Sequence, residues 1–516
     1  MATQQQIMGA WILLIGYAAL VLFFVIRGAM RTKSLQDYAI GNLNFSPAFV
    51  GLSLAVSMTS AATFVINPAL ITVSGFSGVL SFGVFFPIAS MISLVVLTKS
   101  FRKYGQATKA TTLAQWMGRR YNSPSYSLFM GFMSFLLITF IVLILVALSK
   151  VLAAALNLNQ VYILAFIIIF VFGYMMFGGA NSLVYTNTIQ AFVMLIVAVI
   201  LLTSGLEHFR DGIQGFVDKL AAIDPGLVKT TNPATQLFRD YYEIIFAQIV
   251  IGIAVVCQPH IITKSLFLKK ESDVNTFLVS AVIAQILFFS VVFVGLYARI
   301  QFPDLMVNGQ VLNADDVIPT YVVSIFSSGW FSVIVGLIVI LGLISAGLST
   351  LEGLIQSLST TITSDIVKPI FGHKITHENH YMVINKLAIV LLAVVSFFIA
   401  RDQLLYPKLS VAILAQNGVY AFFSIAFMPI VLGIFSRNAG LKAAVAASVT
   451  ALVVHFSVYY MLPAMVEAWG LNFGFFTKYL VGVVRNPAIA ASSAIVMSVL
   501  VGLMVHFTNA KKPNEV

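Results

Sequence analysis

The chain has 516 residues, 60% of them hydrophobic and only 9% charged, with a net charge of +11. Soluble domains carry roughly 25% charged residues, so this composition excludes a globular protein with a water-facing surface of ordinary size. The single cysteine, Cys257, excludes an intramolecular disulfide and any site built from several cysteines.

Apolar runs of about 20 residues recur from end to end, each long enough to cross about 30 Å of hydrocarbon. Hydropathy with breaks at Gly, Pro and charges predicts thirteen spans, near 8–27, 46–74, 76–98, 127–157, 159–177, 182–206, 242–266, 274–300, 328–366, 381–400, 409–435, 440–465 and 487–507. The first is not a cleavable signal by this reading: Met8–Val25 is too long for a signal core, and Arg27 and Arg31 follow it instead of small residues. With the N-terminus outside and the C-terminus cytoplasmic, about two thirds of the basic residues fall on the cytoplasmic side. Arg27, Arg31, Lys99, Arg102, Lys264, Lys269, Lys270, Lys511 and Lys512 are among them. The basic balance therefore reports membrane orientation and gives no sign of a nucleic-acid partner.

The second span, 46–74, carries Ser57, Thr59, Ser60, Thr63, Asn67 and Pro68. The seventh, 242–266, carries Gln258, Pro259 and His260 in an otherwise apolar stretch. Both read as interrupted helices. Freed carbonyls cannot be satisfied by lipid, so such breaks belong beside a cavity or an ion. Two broken spans five apart point to an inverted-repeat transporter with its site at the repeat interface. The expected divisions are an extra N-terminal helix and first cytoplasmic loop (1–45), repeat one (46–206), an extracellular loop (207–241), repeat two (242–435), and two C-terminal helices with a short tail (436–516).

In the ninth span, Glu352 is the one carboxylate predicted deep in the membrane, beside Ser345, Ser349 and Thr350. It lies about 20 Å along the helix from Asp365, where that helix is expected to reach the cytoplasm. A carboxylate at that depth costs about 3 kcal/mol on insertion scales, which suits a cation ligand or an exchangeable proton; the bland alternative is a protonated Glu in one interhelical hydrogen bond. Hydroxyls such as those of Ser349 and Thr350 usually bond back along their own helix or serve at helix contacts. Facing carbonyls freed at a helix break, the pair would suit a hard cation, which prefers oxygen ligands. His260 reads as a capped or interfacial histidine, and His373, His377 and His380 as a solvated loop in preference to a metal site. No P-loop, G-x-S-x-G or H-E-x-x-H is present. No enzyme is expected, and uphill transport must then draw on an ion gradient.

Several motifs occur together in order: Asp37-Tyr-Ala-Ile-Gly41, Thr112-Leu-Ala-Gln-Trp-Met-Gly-Arg-Arg-Tyr121, Gly178-Gly179 with Thr186 and Gln190, Gln258-Pro-His260, and Ser349-Thr350 with Asp365. In these the chain resembles the sodium:solute symporters from about Asp37 to Phe435, most closely the pantothenate and monocarboxylate members. The resemblance implies an all-α membrane protein with a leucine-transporter-like 5+5 inverted repeat. It implies a sodium ion held by the side chains of Ser349 and Thr350 and the carbonyls of Val56, Thr59 and Ala346. Sodium is then the coupling ion, with no other cofactor and no other metal. Many members carry Trp-Thr-Asp where this chain reads Tyr185-Thr186-Asn187, and that Asp serves a second sodium site in some. Here Glu352 is expected to stand in for it, forming a second cation or proton site with Asn187. Proline-type members carry an acid where Met58 stands here, which argues against proline.

The solute is expected near Ser60, Thr63, Asn67, Phe82, Phe86, Gln258, Gln416 and Asn417, in a pocket suited to a small organic acid or related metabolite. The expected partners are that solute, sodium and the bilayer, in the cell inner membrane, with the oligomeric state left open. The rival readings are a proton-coupled or uncoupled carrier on the same fold, and a transporter-like sensor; the short tail after His506 speaks against an output domain.

Overall fold

Long uncharged apolar segments can satisfy their backbone groups in hydrocarbon only as helices, and the chain is helical almost throughout. The computed structural model describes residues 3–510 apart from 42, 43, 108, 269, 308, 376, 378, 408, 409 and 483. Lys269, Lys511 and Lys512, expected on the cytoplasmic side, lie outside the described residues. The strands described are one short antiparallel hairpin, Met306–Val307 with Gln310–Val311.

Among the described residues ten helices are long and apolar enough to cross a membrane, and counting each of two bent pairs as one span raises the number to twelve. In chain order they are α1 (Gln4–Ala29), the pair α2 (Pro47–Met58) and α3 (Ala62–Ser74), α4 (Phe76–Gly105) and α5 (Pro124–Leu156). The shorter apolar helix α6 (Gln160–Met175) stands at the predicted segment 159–177. Then come α7 (Ala180–Phe209), the pair α8 (Tyr242–Val255) and α9 (Pro259–Phe267), α10 (Asp273–Gln301) and α11 (Trp330–Phe371). The chain continues through α12 (Asn379–Leu405), α13 (Val411–Phe435), α14 (Leu441–Trp469) and α15 (Pro487–Asn509).

Each bend has a local cause. Between α2 and α3, Thr59 leaves helical geometry at φ −113° and ψ 88°. The Ser60 hydroxyl then accepts from the Ala62 amide at 3.1 Å, a side-chain bond that competes with the helical ladder. The axis turns by 52°. Between α8 and α9, Gln258 is extended at φ −75° and ψ 140°, as the residue before a proline prefers. Pro259 has no amide hydrogen to continue the ladder, and this bend is 56°.

Small residues let the helices around these bends come close. A Cβ on Gly51 of α2 would stand 2.4 Å from the Phe277 carbonyl of α10, and one on Gly295 of α10 would stand 2.1 Å from the Pro68 carbonyl of α3. Helix α2 packs against α7, α10 and α11, and α9 packs against α11. The motifs near the helix ends lock this arrangement. Gly179 has φ +71° with Tyr38 against it, leaving no room for a Cβ. The Tyr38 hydroxyl donates to the Met175 carbonyl at 2.9 Å, and the Gln356 amide donates to the carbonyls of Tyr38 and Ala39, both at 2.8 Å.

Three charged residues depart from the expected placement. Lys264 and Arg102 were expected among solvated cytoplasmic charges, but both are buried. Arg102 donates to the Leu268 carbonyl at 3.1 Å, whereas Lys264 lies inside α9 and faces α2. Asp365, expected where its helix emerges, is also buried. It accepts from the hydroxyls of Thr112 at 2.7 Å and Ser127 at 3.1 Å, which bind α11 to the segment after α4 and to the start of α5. Neutral donors of this kind let a carboxylate leave water without an ion pair.

Candidate ion and solute site

The break after α2 turns the end of that helix toward the middle of α11. There the Ser349 hydroxyl donates to the Val56 carbonyl at 3.1 Å and to the Ala346 carbonyl at 3.0 Å. The Thr350 hydroxyl reaches the Val56 carbonyl at 3.3 Å and the Ser57 carbonyl at 3.4 Å. All these residues are buried. Val56, Ala346, Ser349 and Thr350 thus come together as a cluster of neutral oxygens at a helix break. Thr59 sits in the break itself, where its hydroxyl donates to the Ala55 carbonyl at 2.6 Å. Among the described residues no hydrogen bond joins its carbonyl to the pair on α11. Two hydroxyls and several carbonyls around one point are the donor set a hard monovalent cation takes, since each oxygen has a lone pair to turn toward it.

A cavity opens beside this cluster, between the two bends. Its wall includes Ser60, Thr63, Asn67, Phe82, Phe86, Gln258 and Gln416, seven of the eight residues expected for the solute. Met58, Phe140, Phe289 and Tyr420 complete its character: apolar and aromatic, with a few neutral amides and hydroxyls and, among the described residues, no charged side chain in the wall. Asn417 does not belong there. Its amide donates to the Tyr460 hydroxyl at 2.7 Å and its oxygen meets His455 Nε2 at 2.9 Å. One residue further along the helix than Gln416, it faces α14 instead of the cavity.

Glu352 is fully buried one turn beyond Ser349. Its carboxylate accepts from the Tyr174 hydroxyl, from the Thr186 hydroxyl at 3.0 Å and from the Gln190 amide at 3.5 Å. Asn187, expected to share a site with it, instead donates to the Ser53 hydroxyl at 3.0 Å. Thr186 meets Glu352 while its neighbour Asn187 does not, because successive residues on α7 point about 100° apart around a helix of 3.6 residues per turn.

The family model for the sodium:solute symporter family matches residues 38–451. The chain belongs to the sodium:solute symporter family. The sodium/pantothenate symporter of Escherichia coli is 26% identical over 450 residues, covering 84% of this chain and 87% of that one. A sodium/proline symporter of Staphylococcus aureus is 24% identical, covering 84% and 82%. The fold matches that of a solved sodium-coupled sialic acid symporter in a substrate-bound outward-open state, with a TM-score of 0.71 at 17% identity, over 96% of this chain and 98% of the other.

In this symporter one residue near the site that sequence reasoning misjudged is Lys264. Its ammonium donates to the Ser53 carbonyl at 2.8 Å and the Ser53 hydroxyl at 2.7 Å, so it belongs to the polar interior and not to a loop. The signal was present: position 264 falls within the predicted seventh span, five residues past the Gln258–Pro259 break. His260, read as interfacial, is likewise buried, and among the described residues neither ring nitrogen has a hydrogen-bond partner. It lines a second, smaller cavity with Lys264, Thr263, Gln356 and Thr360. His373, His377 and His380 are exposed.

Proposed function

We propose that this symporter takes up a small organic acid or related metabolite by alternating access in the inner membrane, driven by a sodium ion held between α2 and α11. Its thirteen membrane segments are read with the N-terminus outside and the C-terminus cytoplasmic. The two bent pairs head two five-span repeats, 46–206 and 242–435. The observation that carries the proposal is the meeting of the Ser349 and Thr350 hydroxyls with the Val56 carbonyl at the broken end of α2. The two hydroxyls donate to carbonyl oxygens of the same cluster. A sodium ion would turn the same oxygens toward itself, with the carbonyls of Val56, Ala346 and Thr59 completing its shell. Such an ion ties α2 to α11 and favours whichever state brings them together, by its differential affinity for the two states.

The substrate class rests on the cavity wall. With Met58 in place of an acid and Gln285 donating to its sulfur at 2.8 Å, the wall offers no counter-charge to an amine, which disfavours a zwitterionic amino acid. Its polar groups are Ser60, Thr63, Asn67, Gln258 and Gln416, suited to hydroxyl and amide groups of a solute. A carboxylate would be received at the N-terminal end of α3, where the helix dipole is positive. The pantothenate transported by one relative has this combination of carboxylate, amide and hydroxyl groups.

The test is uptake into proteoliposomes, with pantothenate and short monocarboxylates offered against proline and a hexose. Accumulation of a carboxylate solute is expected only with an inward sodium gradient. Equal uptake under a potassium gradient with a proton gradient imposed would overturn sodium coupling, and preference for proline would overturn the substrate class.

A further inference from the structure

A carboxylate and an ammonium, each fully ionised at neutral pH in water, are both buried in the membrane-spanning bundle of this protein. Glu352 comes from α11 and Lys264 from α9. A lone charge at that depth is costly on any scale, so each calls for compensation. Among the described residues the two form no salt bridge with each other or with any third residue. Instead each is held by neutral side chains, and the two sets meet at adjacent residues of α7. Lys264 holds both oxygens of Ser53, at 2.8 and 2.7 Å. The Ser53 hydroxyl also accepts from Asn187 at 3.0 Å. The neighbour of Asn187 on α7, Thr186, meets Glu352 Oε2 at 3.0 Å. Tyr174 and Gln190 supply further donors to the carboxylate. As a carboxylate, which has only acceptors to offer, Glu352 can take all three of these donors at once. As an ammonium, Lys264 can donate to both Ser53 oxygens with one N–H to spare. Thr186 and Asn187 are adjacent on α7, so the two groups flank the same stretch of that helix.

We propose that Lys264 is a cation built into the chain, which neutralises Glu352 through Ser53, Asn187 and Thr186 and so removes the need for a mobile ion at that carboxylate. The carboxylate in α11 then does not add a second coupled sodium. It fixes the ammonium of α9 against α2, so that the second bent pair, the first bent pair and α11 share one electrostatic contact. The Asn187 oxygen, buried and without a partner among the described residues, fits the same account. An amide at that position already donates to Ser53, and with the ammonium at hand no further negative charge is needed there.

Compensation between the two charges is the signature to measure. Lys264→Met, Glu352→Gln and the double variant are purified, and their unfolding temperatures are compared in sodium-free buffer. Each single variant leaves one buried charge unpaired and unfolds at lower temperature than the parent, while the double variant recovers most of the loss, because the two effects are coupled. Additive losses would overturn the proposal. If Lys264→Met cannot be purified, recovery of folded protein on adding Glu352→Gln is the same compensation, and failure to recover it counts against the proposal. The second readout rests on the sodium coupling proposed above. In uptake assays Lys264→Met shows a steeper dependence on sodium concentration than the parent, as a second ion is drawn to Glu352, and the double variant returns to the parental slope. An unchanged slope in an active Lys264→Met protein would overturn the claim that the ammonium replaces an ion. Because the unfolding arm contains no sodium, loss of sodium coupling in all variants would sink the transport reading and leave the charge compensation to stand or fall separately.

Discussion

Two polar clusters lie a turn apart on α11 and behave oppositely. Around Ser349 and Thr350 every group is neutral, and the hydroxyls spend their protons on the carbonyls of Val56, Ser57 and Ala346. Around Glu352 the groups carry full charges or serve them, from Tyr174, Thr186 and Gln190 to Lys264 beyond Ser53. A neutral oxygen cluster can admit a cation and release it again, since its unoccupied form has no bare charge. A charged cluster must be neutral at all times, and a tethered ammonium achieves that without exchange. On the proposed reading, coupling belongs to the neutral cluster and cohesion to the charged one.

The largest effect should come from the neutral cluster. Ser349→Ala or Thr350→Ala removes one oxygen from the proposed ion shell, and hydrogen bonds or ligands to charged groups are worth about 1.5–3 kcal/mol. At 1.4 kcal/mol per tenfold change, the sodium concentration for half-maximal uptake should rise by about 10- to 100-fold. The maximal rate at saturating sodium should change less. A rise in the solute half-saturation alone, with the sodium dependence untouched, would assign these hydroxyls to the solute instead.

An intermediate effect should separate two neighbours on α13. Gln416→Ala removes a polar group from the cavity wall and should raise the solute half-saturation by about 5- to 10-fold, the worth of a neutral hydrogen bond. Asn417→Ala should leave that constant within about twofold, because Asn417 is committed to Tyr460 and His455. It should lower the unfolding temperature instead, by stranding the buried imidazole. The reverse pattern would show that α13 turns on binding.

How much of this was readable beforehand follows from what each residue's signal depends on. The spans were legible because hydropathy over about 20 residues is a local property, and the two bends because Ser-Thr runs and Gln-Pro pairs interrupt a helix wherever they occur. The Ser349–Thr350 pair stood out only through the family resemblance, because nothing local separates such hydroxyls from those that bond back along their own helix. Asn417 was misplaced because one residue of helical phase, about 100°, decides between cavity and neighbour, and hydropathy is blind to phase in a helix buried on all sides. Lys264 was misjudged because a lysine near a span end usually snorkels to the surface; only tertiary packing brings Ser53 under its ammonium.

The smallest effect belongs outside the membrane. Burial alone would raise the Asp240 carboxyl, but the Lys478 ammonium at 2.5 Å, the Glu243 amide and the Tyr479 hydroxyl outweigh it and hold it below the usual range. A carboxyl depressed in the folded state stabilises above its unfolded value, about 3.9, and that contribution fades as pH falls through the lower folded value. Asp240→Asn should therefore lower the unfolding temperature slightly at neutral pH, with the gap to the parent closing below about pH 4. A gap that widens in acid would contradict the sign.

The central claim, that the broken end of α2 and the hydroxyls of α11 hold the coupling ion, is tested most directly by unfolding the purified protein across a sodium titration at constant ionic strength with potassium as the balance. An ion that binds only the folded state raises the unfolding temperature as its concentration passes the dissociation constant. The parent should be stabilised by sodium and not by potassium, and Thr350→Ala should need a much higher sodium concentration for the same shift. Equal stabilisation by both ions, or a sodium response that survives the loss of both hydroxyls, would contradict the account.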